Sequence, residues 1–231
     1  GIASKFVDGR RVTDENSLEI AAMVLNGQIN TRILAACRDL GVPAVGISGI
    51  DAGLIKAHKK PPVAREGGRG ETVDYGFVGD IDGVDASVLL KQLDNDLVPI
   101  VSPLSADESG TLLNINADSV AAALAVALSA EKLILATGAP GILESADEPA
   151  SLISYVDLAG LSKLRNENRL SAGMLPKATA IEFALVGGVP RVHVISYTLP
   201  DSVLLEVFTN EGTGTLVVND AQNLTPEEQQ S

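Results

Sequence analysis

Four polar clusters in this chain of 231 residues combine residue types and spacings that could do chemistry. In Gly9-Arg10-Arg11-Val12-Thr13, Arg11 could present a planar fork of donors to a carboxylate, while amides opening the next helix add positive potential. A solvated basic turn fits that segment equally well. Asn114-Ile-Asn-Ala-Asp118 puts three short polar side chains at the start of a very apolar stretch. Taken alone, it is best read as helix capping by Asn116 or Asp118. Thr137-Gly138-Ala139-Pro140-Gly141-Ile142-Leu143 is a loop of small residues whose backbone amides could approach a phosphate or a purine. Gly173-Met-Leu-Pro-Lys177 sets a lysine one turn into a helix, beside a proline tolerated only near a helix start. A surface lysine is the commoner occupant of such a place. Gly212-Thr-Gly-Thr215 reads either as a phosphate-proximal turn or as a turn into a strand. His58 and His193 read as an ordinary hairpin residue and an ordinary strand residue.

Several chemistries are disfavoured by what is missing. There is no Gly-Lys dipeptide for a Walker loop, Gly67-Gly-Arg-Gly70 does not complete a dinucleotide fingerprint, and no Gly-x-Ser-x-Gly elbow exists. Cys37 has no cysteine partner, and two separated histidines make no zinc cluster. No metal ligand set is therefore expected, and a reducing cytoplasm fits best. With 17 basic against 30 acidic residues the net charge is −13, which argues against nucleic acid and anionic membranes as partners. The longest uncharged apolar run, residues 119–130, is too short to span a bilayer. The chain is 45% hydrophobic but only 3% aromatic with no Trp. Its core must therefore be aliphatic, and aromatic stacking platforms for bases are not expected.

The elements that must position these clusters follow from periodicity. A helix is expected over residues 13–40, capped by Thr13 and broken near Gly27. A strand at 43–47, an irregular hairpin at 51–60 and a Gly-rich loop at 65–71 come next. Residues 75–83, 85–94 and 98–101 then read as one β-α-β step. After a turn at 105–110, an Ala-rich helix runs to residue 129 and a strand covers 132–136. Helices at 157–166, 173–186 and 200–208 alternate with strands at 192–195 and 214–218. This order predicts an α/β fold, a three-layer α/β/α sandwich around a mainly parallel sheet, with the loop after residue 136 at the strand ends where ligands usually sit. Two lobes, residues 1–130 and 131–218, and a polar tail at 219–231 too poor in apolar surface to order itself complete the reading.

Taken in order, these clusters resemble the amino acid kinase family, and within it the branch that acts on N-acetyl-L-glutamate. The matching segments are Phe6-Val-Asp-Gly-Arg-Arg-Val-Thr-Asp14, Ala44-Val-Gly-Ile-Ser-Gly-Ile-Asp-Ala-Gly-Leu-Ile55, Asn114-Ile-Asn-Ala-Asp118, Gly173-Met-Leu-Pro-Lys177 and Phe208-Thr-Asn-Glu-Gly-Thr-Gly-Thr215. The resemblance implies transfer of the ATP γ-phosphoryl group, with Mg2+, to the side-chain carboxylate of N-acetyl-L-glutamate in arginine biosynthesis. It implies that Arg11 and Asn114 hold the acetylglutamate, Lys177 stabilises the transferring phosphoryl group and Asp118 orients the catalytic lysines. Gly138, Ala139, Pro140, Gly141, Ile142 and Leu143, with Arg169, Leu170 and Ser171, would border the nucleotide. The first lobe would bind acetylglutamate and dimerise, the second would bind nucleotide, and a homodimer or larger homo-oligomer is expected. Three features depart from the family pattern. The 231 residues contain neither its Lys-x-Gly-Gly strand nor its His-Gly-Gly loop, and Gly138 stands where relatives often carry Asp. Two neighbouring readings are a kinase for carrier-linked aminoadipate or glutamate, and a catalytically impaired binding subunit or fragment of the same fold.

Overall fold

A computed structural model describes residues 6–7, 10–64, 72–145, 148, 150–209 and 212–220, with side chains from residue 12 onward. The expected loop at 65–71 and nearly all of the tail lie outside the described residues. The chain divides into two compact units, Gly1–Val120 and Ala121–Ser231, so the division falls within a helix, ten residues before the end of the first expected lobe.

The first unit contains β1 (Phe6–Val7), β2 (Arg10–Arg11), α1 (Glu15–Ala22), a π-helical segment (Met23–Ile29), α2 (Asn30–Asp39), β3 (Ala44–Ser48), β4 (Ile55–Lys59), β5 (Val63–Ala64), β6 (Thr72–Val73), β7 (Gly79–Val84), α3 (Ser87–Leu93), β8 (Val98–Ser102), β9 (Leu104–Ala106) and β10 (Leu112–Asn114). Helix α4 (Ala117–Ala127) leads into the second unit, which adds β11 (Leu133–Thr137), β12 (Tyr155–Asp157), α5 (Leu158–Asn166), α6 (Met174–Val186), β13 (Arg191–Ser196), α7 (Ser202–Phe208) and β14 (Thr215–Val218).

The expected break at Gly27 takes the form of a widened π turn rather than a gap. Such turns are uncommon and need outside support. Here Asn30 Nδ2 donates to Ile100 O at 2.9 Å, and Ser102 Oγ bonds Asn26 Oδ1, so two side chains on the helix grip β8. Gly46 on β3 makes room, since a Cβ there would lie 2.1 Å from Asn30 Oδ1.

The sheets are more mixed than a parallel sandwich requires. In the first unit β3 and β8 pair in parallel, while β10, β9, β4 and β7 form a separate four-stranded sheet. The anticipated β-α-β step is present as β7, α3 and β8, yet its two strands do not pair. β7 runs antiparallel to β4, and β8 joins β3. In the second unit the order is β11-β13-β14-β12, parallel at both outer pairs and antiparallel between β13 and β14.

Alternation along β13 builds the layers of the second unit. Val192 and Val194 enter a core shared with Leu133 and Leu135 of β11, Ala122 of α4, Leu161 of α5 and Ile181 of α6. His193, between the two valines, faces the other way and meets Glu206 of α7. Helices thus cover both faces of this sheet, as the α/β/α architecture requires.

Candidate functional site

In the first unit, three segments far apart in sequence converge. Thr13 is buried, with 1% of its surface exposed. Its N–H donates to Tyr75 O at 2.9 Å, and its carbonyl accepts from Phe77 N at 2.8 Å. Asn114 N donates to Phe77 O at 2.8 Å, and Asn114 Nδ2 donates to Thr13 Oγ1 at 3.3 Å. Gly76 lets the strands close, because with φ +73° a Cβ there would sit 2.2 Å from Thr13 O. The backbone of Arg11 ends β2 two residues before Thr13, to which half-buried Asn114 is bonded; the side chain of Arg11 lies outside the described residues.

Two capping expectations resolve at this end. Asp14, not Thr13, caps α1, accepting from Ser17 N at 2.8 Å. The Ser17 hydrogen bonds hold the Asp14 carboxyl below its ordinary value. Asn116 caps α4, accepting from Ser119 N at 3.0 Å, and Asp118 lies half-buried in the first turn.

The second unit gathers the glycine-containing loop, Arg169 and Thr215. Residues 138–143 follow β11, which is paired in parallel with β13. Ile142 N donates to Thr215 Oγ1 at 2.8 Å, and Thr215 Oγ1 donates to Ile153 O at 2.6 Å, so one fully buried hydroxyl ties the loop to the sheet. Gly141 is required beneath it, since a Cβ would lie 2.6 Å from Thr215 Oγ1. Just beyond Leu143, Arg169 Nε donates to Glu144 O at 3.0 Å and its guanidinium pairs with the Glu144 carboxylate at 2.8 Å. Ile142 and Leu170 are buried core side chains, so only their backbone can meet a ligand. Ser171 is exposed and accepts from Met174 N at 2.9 Å in the turn into α6. Pro176 occupies the third position of α6, where no intrahelical donor is needed, and half-buried Lys177 follows it, adding charge at the positive end of the helix.

The Gly212-Thr-Gly-Thr215 turn is not an open phosphate cradle. Its amides are already engaged, with Thr213 N at 2.7 Å and Gly214 N at 3.1 Å from Glu206 Oε2. His193 Nδ1 approaches the other oxygen at 2.7 Å. Burial pushes the Glu206 carboxyl up, but these hydrogen bonds outweigh it and leave the group below its ordinary value. Sequence reasoning missed this network, which pairs a strand histidine read as ordinary with a helix glutamate that carried no motif signal. The hairpin expected at 51–60 does not close on itself: His58 lies on β4, whose antiparallel partner is β7, and it sits 2.7 Å from Asp82, largely exposed. Among the described residues no helix is long and apolar enough to cross a membrane.

Known proteins resemble this chain in both sequence and structure. The sequence pattern of the group described as "Amino acid kinase family" matches residues 1–196. An acetylglutamate kinase of Myxococcus xanthus is 51% identical over 217 residues, covering 93% of this chain and 70% of the relative. An acetylglutamate kinase of Archaeoglobus fulgidus is 43% identical, covering 94% and 75%. In structure, the chain resembles the N-acetylglutamate synthase of Neisseria gonorrhoeae solved with coenzyme A and N-acetyl-glutamate, with a TM-score of 0.80 and 28% identity over 95% of this chain. The chain spans about half of that synthase, 47% of its length. Aspartokinase III of E. coli, at 19% identity and a TM-score of 0.61 over 89% of this chain and 42% of its own, shares the fold.

Proposed function

The chain belongs to the amino acid kinase family, and on that premise we propose that it transfers the γ-phosphoryl group of ATP to the side-chain carboxylate of N-acetyl-L-glutamate. A carboxylate oxygen attacks the γ-phosphorus, the bond to the β-phosphate oxygen breaks, and the products are N-acetyl-L-glutamyl 5-phosphate and ADP. The observation that carries this reading is the 51% identity to an acetylglutamate kinase, maintained over 93% of the chain. Those matches do not favour the carrier-linked alternative or the binding subunit.

Phosphoryl transfer asks for positioning and for charge stabilisation more than for covalent chemistry. Arg11 would grip a carboxylate of acetylglutamate and Asn114, steadied by Thr13, would hydrogen-bond it. Lys177 would neutralise charge growing on the phosphoryl oxygens, and Asp118 would hold the lysine ammonium groups in register. Residues 138–143, with Arg169, Leu170 and Ser171, would border the nucleotide. Mg2+ would be carried on the ATP phosphates, where it keeps several waters and needs few protein ligands. Among the described residues no group of three His, Cys, Asp or Glu could cage it. The first lobe, residues 1–130, would take acetylglutamate and a second copy of the chain, and residues 131–218 the nucleotide. The dimer proposal rests on apolar side chains left open along the first helices, among them Met23 at 65% and Leu40 at 77% exposure. A cytoplasmic setting suits ATP as the donor and the lone Cys37.

Hydroxylamine trapping of the acyl phosphate tests the reaction. Colour with Mg-ATP and N-acetyl-L-glutamate, but not with glutamate or aspartate, is the expected result. Colour with none of the three, or with all equally, overturns the proposal.

A further inference from the structure

The nucleotide loop has an aromatic neighbour that no motif singled out. Tyr197 follows the last residue of β13, and its N–H donates to Thr137 O at 2.9 Å, one step beyond the parallel ladder that pairs Thr137 with Ser196. The hydroxyl end of its ring reaches Gly138: a Cβ at Gly138 would stand 3.0 Å from the Tyr197 hydroxyl, 3.5 Å from Cζ and 3.8 Å from Cε1. The absence of a side chain at 138 is therefore what seats the ring. Tyr197 is nevertheless 70% exposed, while Tyr75 is buried and Tyr155 is half-buried. The turn that carries it is braced, with Ser196 Oγ and Thr198 Oγ1 2.8 Å apart and Thr198 N donating to Ser196 Oγ at 3.3 Å. A large ring held open to solvent at the carboxyl ends of two parallel strands is preorganised for a flat ligand.

We propose that Tyr197 contacts the adenine base of the bound nucleotide, the hydroxyl end of its ring against Gly138 and an open face stacked against the purine. This rests on the reading of residues 138–143 as the nucleotide loop. The low aromatic content argued against stacking platforms for bases, but one mononucleotide needs one ring. The same geometry bears on Gly138, the position where the resemblance led to an expectation of Asp: a side chain there would crowd the Tyr197 hydroxyl and make it shift.

The test is ATP and tripolyphosphate binding by calorimetry, with tyrosine-ring NMR on the unmodified chain, which has three tyrosines and no tryptophan to interfere. Tyr197→Ala is expected to weaken Mg-ATP binding by about 5- to 50-fold while leaving tripolyphosphate binding and the melting temperature unchanged, and Tyr197→Phe to restore ATP affinity. Gly138→Ala is expected to weaken ATP binding in the wild type and to lose most of that effect in the Tyr197→Ala background, the non-additivity of a shared contact. ATP binding that is unaffected by Tyr197→Ala, or that leaves the Tyr197 ring signals unmoved, overturns this proposal and leaves the nucleotide loop standing. Failure of the wild type to bind ATP overturns both.

Discussion

His193 Nδ1 lies 2.7 Å from Glu206 Oε1, and both side chains are buried between β13 and α7. A carboxylate only accepts, so the Nδ1 proton belongs to the histidine, and the second oxygen of Glu206 is free to collect the amides of Thr213 and Gly214. One carboxylate therefore joins a strand, a helix and the turn into β14.

That arrangement sets an acid limit on the second unit. Glu206 has a lowered carboxyl in the folded chain against an ordinary value of 4.5, so its contribution to stability is complete above about pH 4.5 and drains away as pH falls through the lower folded value. Glu206→Gln is expected to cost about 2–3 kcal/mol at pH 7. Thermal melts of both proteins from pH 7 to pH 3 should show the gap between them closing at the acid end.

Thr215 offers a separate lever on the loop at residues 138–143, proposed above to border the nucleotide. Thr215→Val preserves shape but leaves Ile142 N–H and Ile153 C=O without their buried partner. A loss of about 2–4 kcal/mol in stability is expected from denaturant unfolding, with weaker ATP binding as residues 138–143 loosen.

Lys177 should divide binding from chemistry. Lys177→Met is expected to lower the turnover rate by at least about 10²–10³-fold while acetylglutamate binding changes little, because in the proposed role the ammonium acts on charge that develops in the transition state. Steady-state kinetics with the acyl-phosphate trap, beside calorimetry with acetylglutamate, separates the two.

The π segment rests on a tight approach at Gly46. A methyl there would overlap Asn30 Oδ1, so Gly46→Ala should force Asn30 off Ile100 O and destabilise the first unit by about 1–3 kcal/mol. Hydrogen exchange of residues 23–30 is expected to accelerate in the variant.

Much of the local architecture was legible beforehand, and for local reasons. The expected helix at 173–186 appears as Met174–Val186, and the strand expected at 132–136 appears as Leu133–Thr137. Apolar spacing and the position of Pro176 dictate these within a few turns of chain. Other relationships depend on which distant groups compete for the same burial. Nothing near Asn114 in sequence announces Thr13, 101 residues away, and nothing near Ile142 announces Thr215, 73 residues away. The amides of Thr213 and Gly214 suited an outside anion as well as an inside one until Glu206 reached them. Residue types and short-range periodicity determined the elements and the motifs they carry. Only tertiary packing decided the partner of each buried donor, because a hydrogen bond inside the fold is selected by which chain segments exclude water together.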